Sequence, residues 1–173
     1  MKKIDIPLKE NSYKVLVGSN LLPVISKEIL KRKLSRNVLV VIDGNVDRLH
    51  GENLRNSLAD LPGRVNYFRL APGEGSKSIE TLKSIYDFLL SENYGRDSLI
   101  IAAGGGVTGD ISGYAAATFM RGVDYLQLPT TLLSAVDSSV GGKTGINYNG
   151  TKNIIGAFYQ PVLVLSELDF LTT

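Results

Sequence analysis

Short runs of aliphatic and β-branched residues alternate along this chain with longer stretches whose apolar positions recur every three or four residues. That alternation predicts a parallel sheet wrapped by helices. Ser12 to Val17 and Asn37 to Ile42 read as strands, and Met1 to Pro7 alternates in a strand-like way. Between the two strands, Leu21 to Lys33 carries Leu21, Leu22, Ile25, Ile29 and Leu30 at helical spacing. A second helix is expected over Val46 to Leu58, then a strand over Val65 to Leu70 that runs into the loop Ala71-Pro72-Gly73-Glu74-Gly75. Ile79, Leu82, Ile85, Tyr86 and Leu89 form one apolar stripe, with Ser76 or Ser78 as its N-cap and Asn93-Tyr94-Gly95 as its stop. Leu99 to Ala103 is a continuous apolar run, as a strand covered on both faces requires. The expected fold class is α/β: one Rossmann-like domain over residues 1–173, a parallel sheet flanked by helices, with a small hairpin near 143–155 around Asn149-Gly150.

Composition removes several classes of function. Of 173 residues, 43% are apolar and 21% charged, a globular balance, and no apolar run approaches the roughly 20 residues of a membrane-spanning helix. The N-terminus lacks the apolar core of a signal peptide, so a cytoplasmic protein is expected. There is no cysteine, which removes disulfides and thiolate chemistry from these residues. A net charge of +2, from 19 basic and 17 acidic residues well interspersed, gives no broad basic field, so nucleic acid is not the expected partner and a small molecule is.

The candidate chemistry begins where the buried strand meets Gly104-Gly105-Gly106-Val107-Thr108-Gly109, which opens an Ala-rich helix. This is G-x-G-x-x-G between a strand and a helix, where glycine lets the backbone approach a pyrophosphate and the first-turn N–H groups favour its charge. The same glycines also suit a tight turn with close helix packing. The next strand, Tyr125 to Leu128, ends at Pro129 with no acidic residue to hold a ribose, so that group must come from elsewhere. Asp43, at the end of Asn37 to Ile42, is well placed, and equally suited to cap the helix after it. Lys143 and Lys152 stand on polar turns beside glycines and suit carboxylate or phosphate oxygens, as they also suit solvent. Asp110 and Asp137 fit roles as a first-turn dipole partner and a helix-end cap; Arg121, beside Phe119 and Met120, fits a stabilising stack.

Taken together, Thr130, Thr131, Asp137, Ser138, Gly141, Gly142, Lys143, Lys152 and Asn153 resemble the signature of the 3-dehydroquinate synthase family. The resemblance extends to Asp43-Gly44-Asn45, to Pro72-Gly73-Glu74 with Lys77, to the glycine loop with Asp110, and to Phe119-Met120-Arg121-Gly122. It implies an active site between a Rossmann-like domain and a helical domain, with NAD+ recycled within each turnover. Carried over, Asp43 and Asn45 hold the adenosine end, and Glu74 and Lys77 add cofactor contacts. Gly105, Gly106, Val107, Thr108, Gly109 and Asp110 cradle the pyrophosphate. Thr130, Thr131, Leu133 and Ser138 line the cofactor's path, and Phe170, Leu171, Thr172 and Thr173 form a hinge that touches NAD. Asp137, Lys143, Lys152 and Asn153 serve the nicotinamide and substrate end, and Arg121 reaches a neighbouring subunit's substrate phosphate, which implies a homodimer.

The family also uses a divalent metal, zinc or cobalt, held by a glutamate and two histidines. His50 is the one histidine of this sequence, expected at the surface near a helix end, so the resemblance implies that metal ligands and helical domain lie outside these residues. The implied reaction converts 3-deoxy-D-arabino-heptulosonate 7-phosphate to 3-dehydroquinate and phosphate, by oxidation at C5, β-elimination, re-reduction, ring opening and aldol closure. These residues alone are expected to be inactive. Two other readings fit the same pattern: a related cyclase such as 2-deoxy-scyllo-inosose synthase, and a free-standing NAD-binding module.

Overall fold

A computed structural model describes residues 1–34 and 37–172. Seven strands form one sheet: β1 (Lys2–Ile6), β2 (Tyr13–Gly18), β3 (Asn37–Asp43), β4 (Val65–Leu70), β5 (Ser98–Gly104), β6 (Asp124–Pro129) and β9 (Leu163–Glu167). Their order is β1-β2-β9-β6-β5-β3-β4. Only β1 runs antiparallel to its neighbour; the remaining pairs are parallel. β7 (Lys143–Tyr148) and β8 (Thr151–Phe158) make a separate antiparallel hairpin, the one expected near 143–155. Its turn has Asn149 at φ 47° and Gly150 at φ 76°, the pair of left-handed residues that a two-residue hairpin with matching twist requires.

Four helices, α1 (Ile25–Lys31), α2 (Gly44–Leu58), α3 (Ile79–Ser91) and α4 (Gly106–Thr118), cover both faces. Alternation along β3 decides which residue meets which layer. Val38, Val40 and Ile42 pack with Ile25, Ile29, Leu54 and Leu58 of α1 and α2. Leu39 and Val41 pack with Leu82, Ile85 and Leu89 of α3 and Ile111, Ala115 and Ala116 of α4. Each of these strand residues is fully buried, contributing about 1.5–3 kcal/mol of transfer free energy.

The helix ends follow local chemistry. The Ser78 side chain, not Ser76, accepts from the Thr81 N–H to cap α3, and α3 stops where Asn93 turns left-handed at φ 55° and the Tyr94 N–H reaches back to the Leu89 carbonyl. α1 is shorter than its apolar spacing predicts. Leu22-Pro23-Val24 forms a 3-10 turn first, its N-terminal donors Leu21 N and Leu22 N taken by the buried Glu167 carboxylate. At its far end Lys33 is left-handed and Leu34 N bonds Ile29 O.

The expectation that His50 marks a helix end is corrected. α2 runs straight through Gly51; Arg55 folds back across it to reach Asp47 at 2.6 Å, and a Cβ there would collide with both side chains. The glycine is a packing device, not a terminus. His50 is mid-helix, its ring edge-on to Phe170 at 4.9 Å between centroids. Asp110 is likewise not a first-turn residue: α4 begins at Gly106, so Asp110 stands a full turn in.

Candidate functional site

Chain direction places the site. From β3, α2 leads outward to β4; from β5, α4 leads the opposite way to β6. β3 and β5 are neighbours, so the connections leaving their carboxyl ends diverge, and a crevice opens between them, where open parallel sheets bind ligands. Ile42 pairs with Ala103, so Asp43 and Gly104 leave the sheet side by side.

This crevice, of about 670 Å³, is lined by Asp43, Asn45, Gly105, Gly106, Val107, Thr108, Thr130, Thr131, Phe170 and Leu171 among the expected residues, with Leu132, His50 and Gly73 in addition. The glycine loop fits a close anionic guest. Gly105 precedes α4 without a side-chain cap, so the first-turn N–H groups are not closed off by a neighbouring side chain. A Cβ on Gly105 would stand 3.3 Å from Thr131 Cγ2, and one on Gly106 3.3 Å from Ser138 Oγ, so a side chain at either position would crowd the start of α4. Gly109 is buried under the loop, where a Cβ would meet Gln127 Oε1 at 2.9 Å; its part is helix packing. Asp43 both caps α2, its Oδ1 accepting from Asn45 N at 2.8 Å, and faces the crevice, so the two readings of this residue coexist.

A second crevice, of about 480 Å³, opens on the other side of the α4 start, where Ser138 stands against Gly106. Asp110, Asp137, Ser138, Lys143 and Asn153 line it, together with Thr144, Ile154 and Phe158. Asp137 belongs to a single π-helical turn, Ser134–Ser138, rather than to a helix end. That turn is fixed by Thr131 and Ser134, whose hydroxyls bond each other at 2.9 Å and each other's backbone.

Lys77 is a buried charge, 5% exposed, whose ammonium donates to the Asp110 carboxylate and to Asn153 Oδ1. Burial pushes the Asp110 carboxyl above its usual range, and the Lys77 hydrogen bond and charge pull it partly back. Glu74 faces the hairpin, accepting from Asn147 Nδ2 at 2.7 Å.

Seven expected residues line neither crevice: Glu74, Lys77 and Gly109, placed above, and Leu133, Lys152, Arg121 and Thr172. Leu133 is 71% exposed, and Leu132 lines the wall in its place. Lys152 is exposed beside the second crevice without lining it, and Thr172 is exposed at the end of the last 3-10 turn. Arg121 lies past the far end of α4, roughly 20 Å of helix from the glycine loop. It is exposed and left-handed at φ 68°. Thr173 lies outside the described residues. Among the described residues no group of three or more His, Cys, Asp or Glu stands close enough to hold a metal ion, and no helix is long and apolar enough to cross a membrane.

Comparison with known proteins agrees with this architecture. Residues 67–173 match the family model described as 3-dehydroquinate synthase N-terminal. The whole chain is 46% identical to a 3-dehydroquinate synthase of Pelobacter propionicus, covering 48% of that protein. A 3-dehydroquinate synthase of Clostridium kluyveri is 42% identical over 99% of the chain, covering 48% of its own length. The chain thus spans about half the length of the curated relatives it matches. Among solved structures, 2-epi-5-epi-valiolone synthase from Streptomyces hygroscopicus, with NAD+ and Zn2+ bound, superposes with a TM-score of 0.81 at 35% identity, over 97% of this chain and 46% of that one. 2-Deoxy-scyllo-inosose synthase, complexed with carbaglucose-6-phosphate, NAD+ and Co2+, reaches 0.90 at 24% identity over 98% and 46%, which speaks to the fold alone.

Proposed function

Because the chain belongs to the 3-dehydroquinate synthase family, we propose that it forms the NAD+-binding half of an enzyme that converts 3-deoxy-D-arabino-heptulosonate 7-phosphate to 3-dehydroquinate and phosphate. The observation that carries this reading is the meeting of Asp43 and the Gly104–Gly106 loop at one switch-point crevice, the arrangement that suits a dinucleotide's ribose and pyrophosphate together.

When bound, NAD+ supplies a hydride acceptor that is regenerated before product leaves. The chain's own residues do the holding. Gly105, Gly106 and the following N–H groups of α4 receive the pyrophosphate, and Asp43 accepts from the ribose hydroxyls while repelling a 2′-phosphate. Thr130, Thr131 and Phe170 line the cofactor's path. Asp137, Lys143 and Asn153 meet at the second crevice, where an ammonium opposite the substrate's anionic oxygens neutralises charge and the amide orients a hydroxyl. Lys152 is exposed on the hairpin, one residue from Asn153, and completes the set of cations available to the substrate's anionic oxygens.

The described residues do not fit a divalent metal, and its ligands fall to the part of the relatives that this chain does not span. Arg121 lines neither crevice, which fits a role toward a second copy in a homodimer. A cytoplasmic setting goes with this reading, since the substrate and NAD+ are metabolites of the cell interior.

The test is phosphate release from the heptulosonate phosphate by the full-length protein with NAD+ present and no net accumulation of NADH. Turnover of a hexose phosphate, with none of the heptulosonate, would overturn the substrate and leave the cofactor site standing.

A further inference from the structure

The hairpin and the loop before α3 are joined by one side chain that the cofactor and substrate readings do not use. The Asn147 amide oxygen accepts from Asn153 N at 2.9 Å, and its nitrogen donates to Glu74 Oε1 at 2.7 Å. The Asn147 backbone N–H donates to the Lys77 carbonyl at 2.9 Å. Only one orientation of the amide works, because its partners are an N–H donor on one side and a carboxylate on the other. Asn153 is left-handed at φ 55°, a conformation that a non-glycine residue holds only when its surroundings fix it, and the strand pairing slips beside it between Ile146 and Tyr148. The bond from Asn153 N to Asn147 is a fixing contact, and the Asn153 side chain it orients is one of the two acceptors of the buried Lys77 ammonium.

We infer that Asn147 is a positioning residue, which sets the Lys77 ammonium through Asn153 and ties the Glu74–Lys77 loop to the hairpin that carries Lys143 and Lys152. The inference deepens the NAD+ reading and rests on it, since Glu74 and Lys77 are the residues expected to touch the cofactor. Asn147 is half-buried and Asn153 exposed, outside the three apolar clusters of the core. Its loss therefore affects geometry more than stability. Asn147→Asp keeps the acceptor for Asn153 N but sets a second carboxylate against Glu74, so it separates the two halves of the tie.

Two measurements on the same preparations test this. One is the rate at which Lys77 is acetylated in the unliganded chain, read by peptide mass spectrometry against exposed Lys83. The other is NAD+ affinity by calorimetry. Asn147→Ala is expected to weaken NAD+ binding about tenfold, the size of one charge-assisted hydrogen bond, and to speed Lys77 labelling by roughly the same factor. In a Lys77→Met background the same change is expected to cost less than about twofold in affinity, because the two residues act through one contact. Unchanged Lys77 labelling, or an equal loss of affinity in both backgrounds, would overturn the inference. A wild-type chain with no NAD+ binding would overturn it together with the cofactor reading. That outcome is told apart because it appears before any substitution is made.

Discussion

Lys77, on the loop before α3, and Asp110, a full turn into α4, form an ion pair beneath the crevice lined by Lys143 and Asn153. The carboxylate side chain is 20% exposed and the lysine 5%, so both charges have left most of their water and each depends on the other. The pair is therefore a point where stability and site geometry are set by the same contact.

Lys77→Met should destabilise the chain by about 3 kcal/mol at neutral pH, the low end of what a stranded buried charge costs. For a domain of this size that lowers the thermal midpoint by roughly 6–12 °C. The pH dependence follows from Asp110. Its folded pKa is raised, so the protonated carboxyl is favoured in the fold and ionisation costs stability as pH rises through that raised value. Lys77 offsets the cost, and without it the carboxyl rises further. The deficit of the variant should be largest above that raised value and shrink as the pH falls through it. Thermal unfolding on both sides of that value checks it; a deficit that is flat or grows on acidification would contradict the pairing.

Asp43 has two jobs that one substitution separates. Asp43→Asn keeps an oxygen to accept from Asn45 N, so the midpoint should move by no more than roughly 2 °C, while loss of the negative charge should narrow the preference for NAD+ over NADP+. Asp43→Ala removes both and should cost about 1 kcal/mol of stability as well. Equal discrimination by Asp43→Asn and the wild type would leave the residue a helix cap only.

At Gly106 the backbone is helical, so alanine is tolerated by its own conformation, but its Cβ would stand 3.3 Å from Ser138 Oγ and crowd the helix start proposed to receive the pyrophosphate. Gly106→Ala should leave the midpoint within roughly 3 °C and weaken NAD+ by more than about tenfold. Calorimetry on the folded variant decides it, and unchanged affinity would mean that the glycine serves packing alone.

How far the sequence carries the fold depends on whether a residue's role is local. The run Leu99 to Ala103, the Ser78 cap, the Asn93 stop and the Asn149-Gly150 turn are all legible, because spacing or turn chemistry within a few residues determines each. Asp43 is legible as a site residue for a related reason: it ends a strand, and strand ends are where open sheets bind. β9 gives little local signal. Leu163-Val164-Leu165 is short, and the buried Ser166 and Glu167 that follow look like surface until tertiary structure shows Glu167 receiving the N–H groups that start the turn before α1. Gly51 carries the sequence mark of a helix end and so points His50 to one, whereas the cause of that glycine is the Asp47–Arg55 contact across it. Asn147 gives no signal beyond an amide two residues before a hairpin turn, since its partners at Glu74, Lys77 and Asn153 are brought together only by the packing of the hairpin.

The measurement that bears most directly on the account is thermal unfolding of this chain against rising NAD+ and, separately, NADP+. A ligand of the native state stabilises by RT ln(1 + [L]/Kd), about 2.7 kcal/mol near 100 Kd, which corresponds to roughly 5–11 °C here. The account predicts a saturable rise with NAD+ that NADP+ does not reproduce and that Gly106→Ala removes. No rise with NAD+ at millimolar concentration would contradict a cofactor site built from Asp43 and the glycine loop.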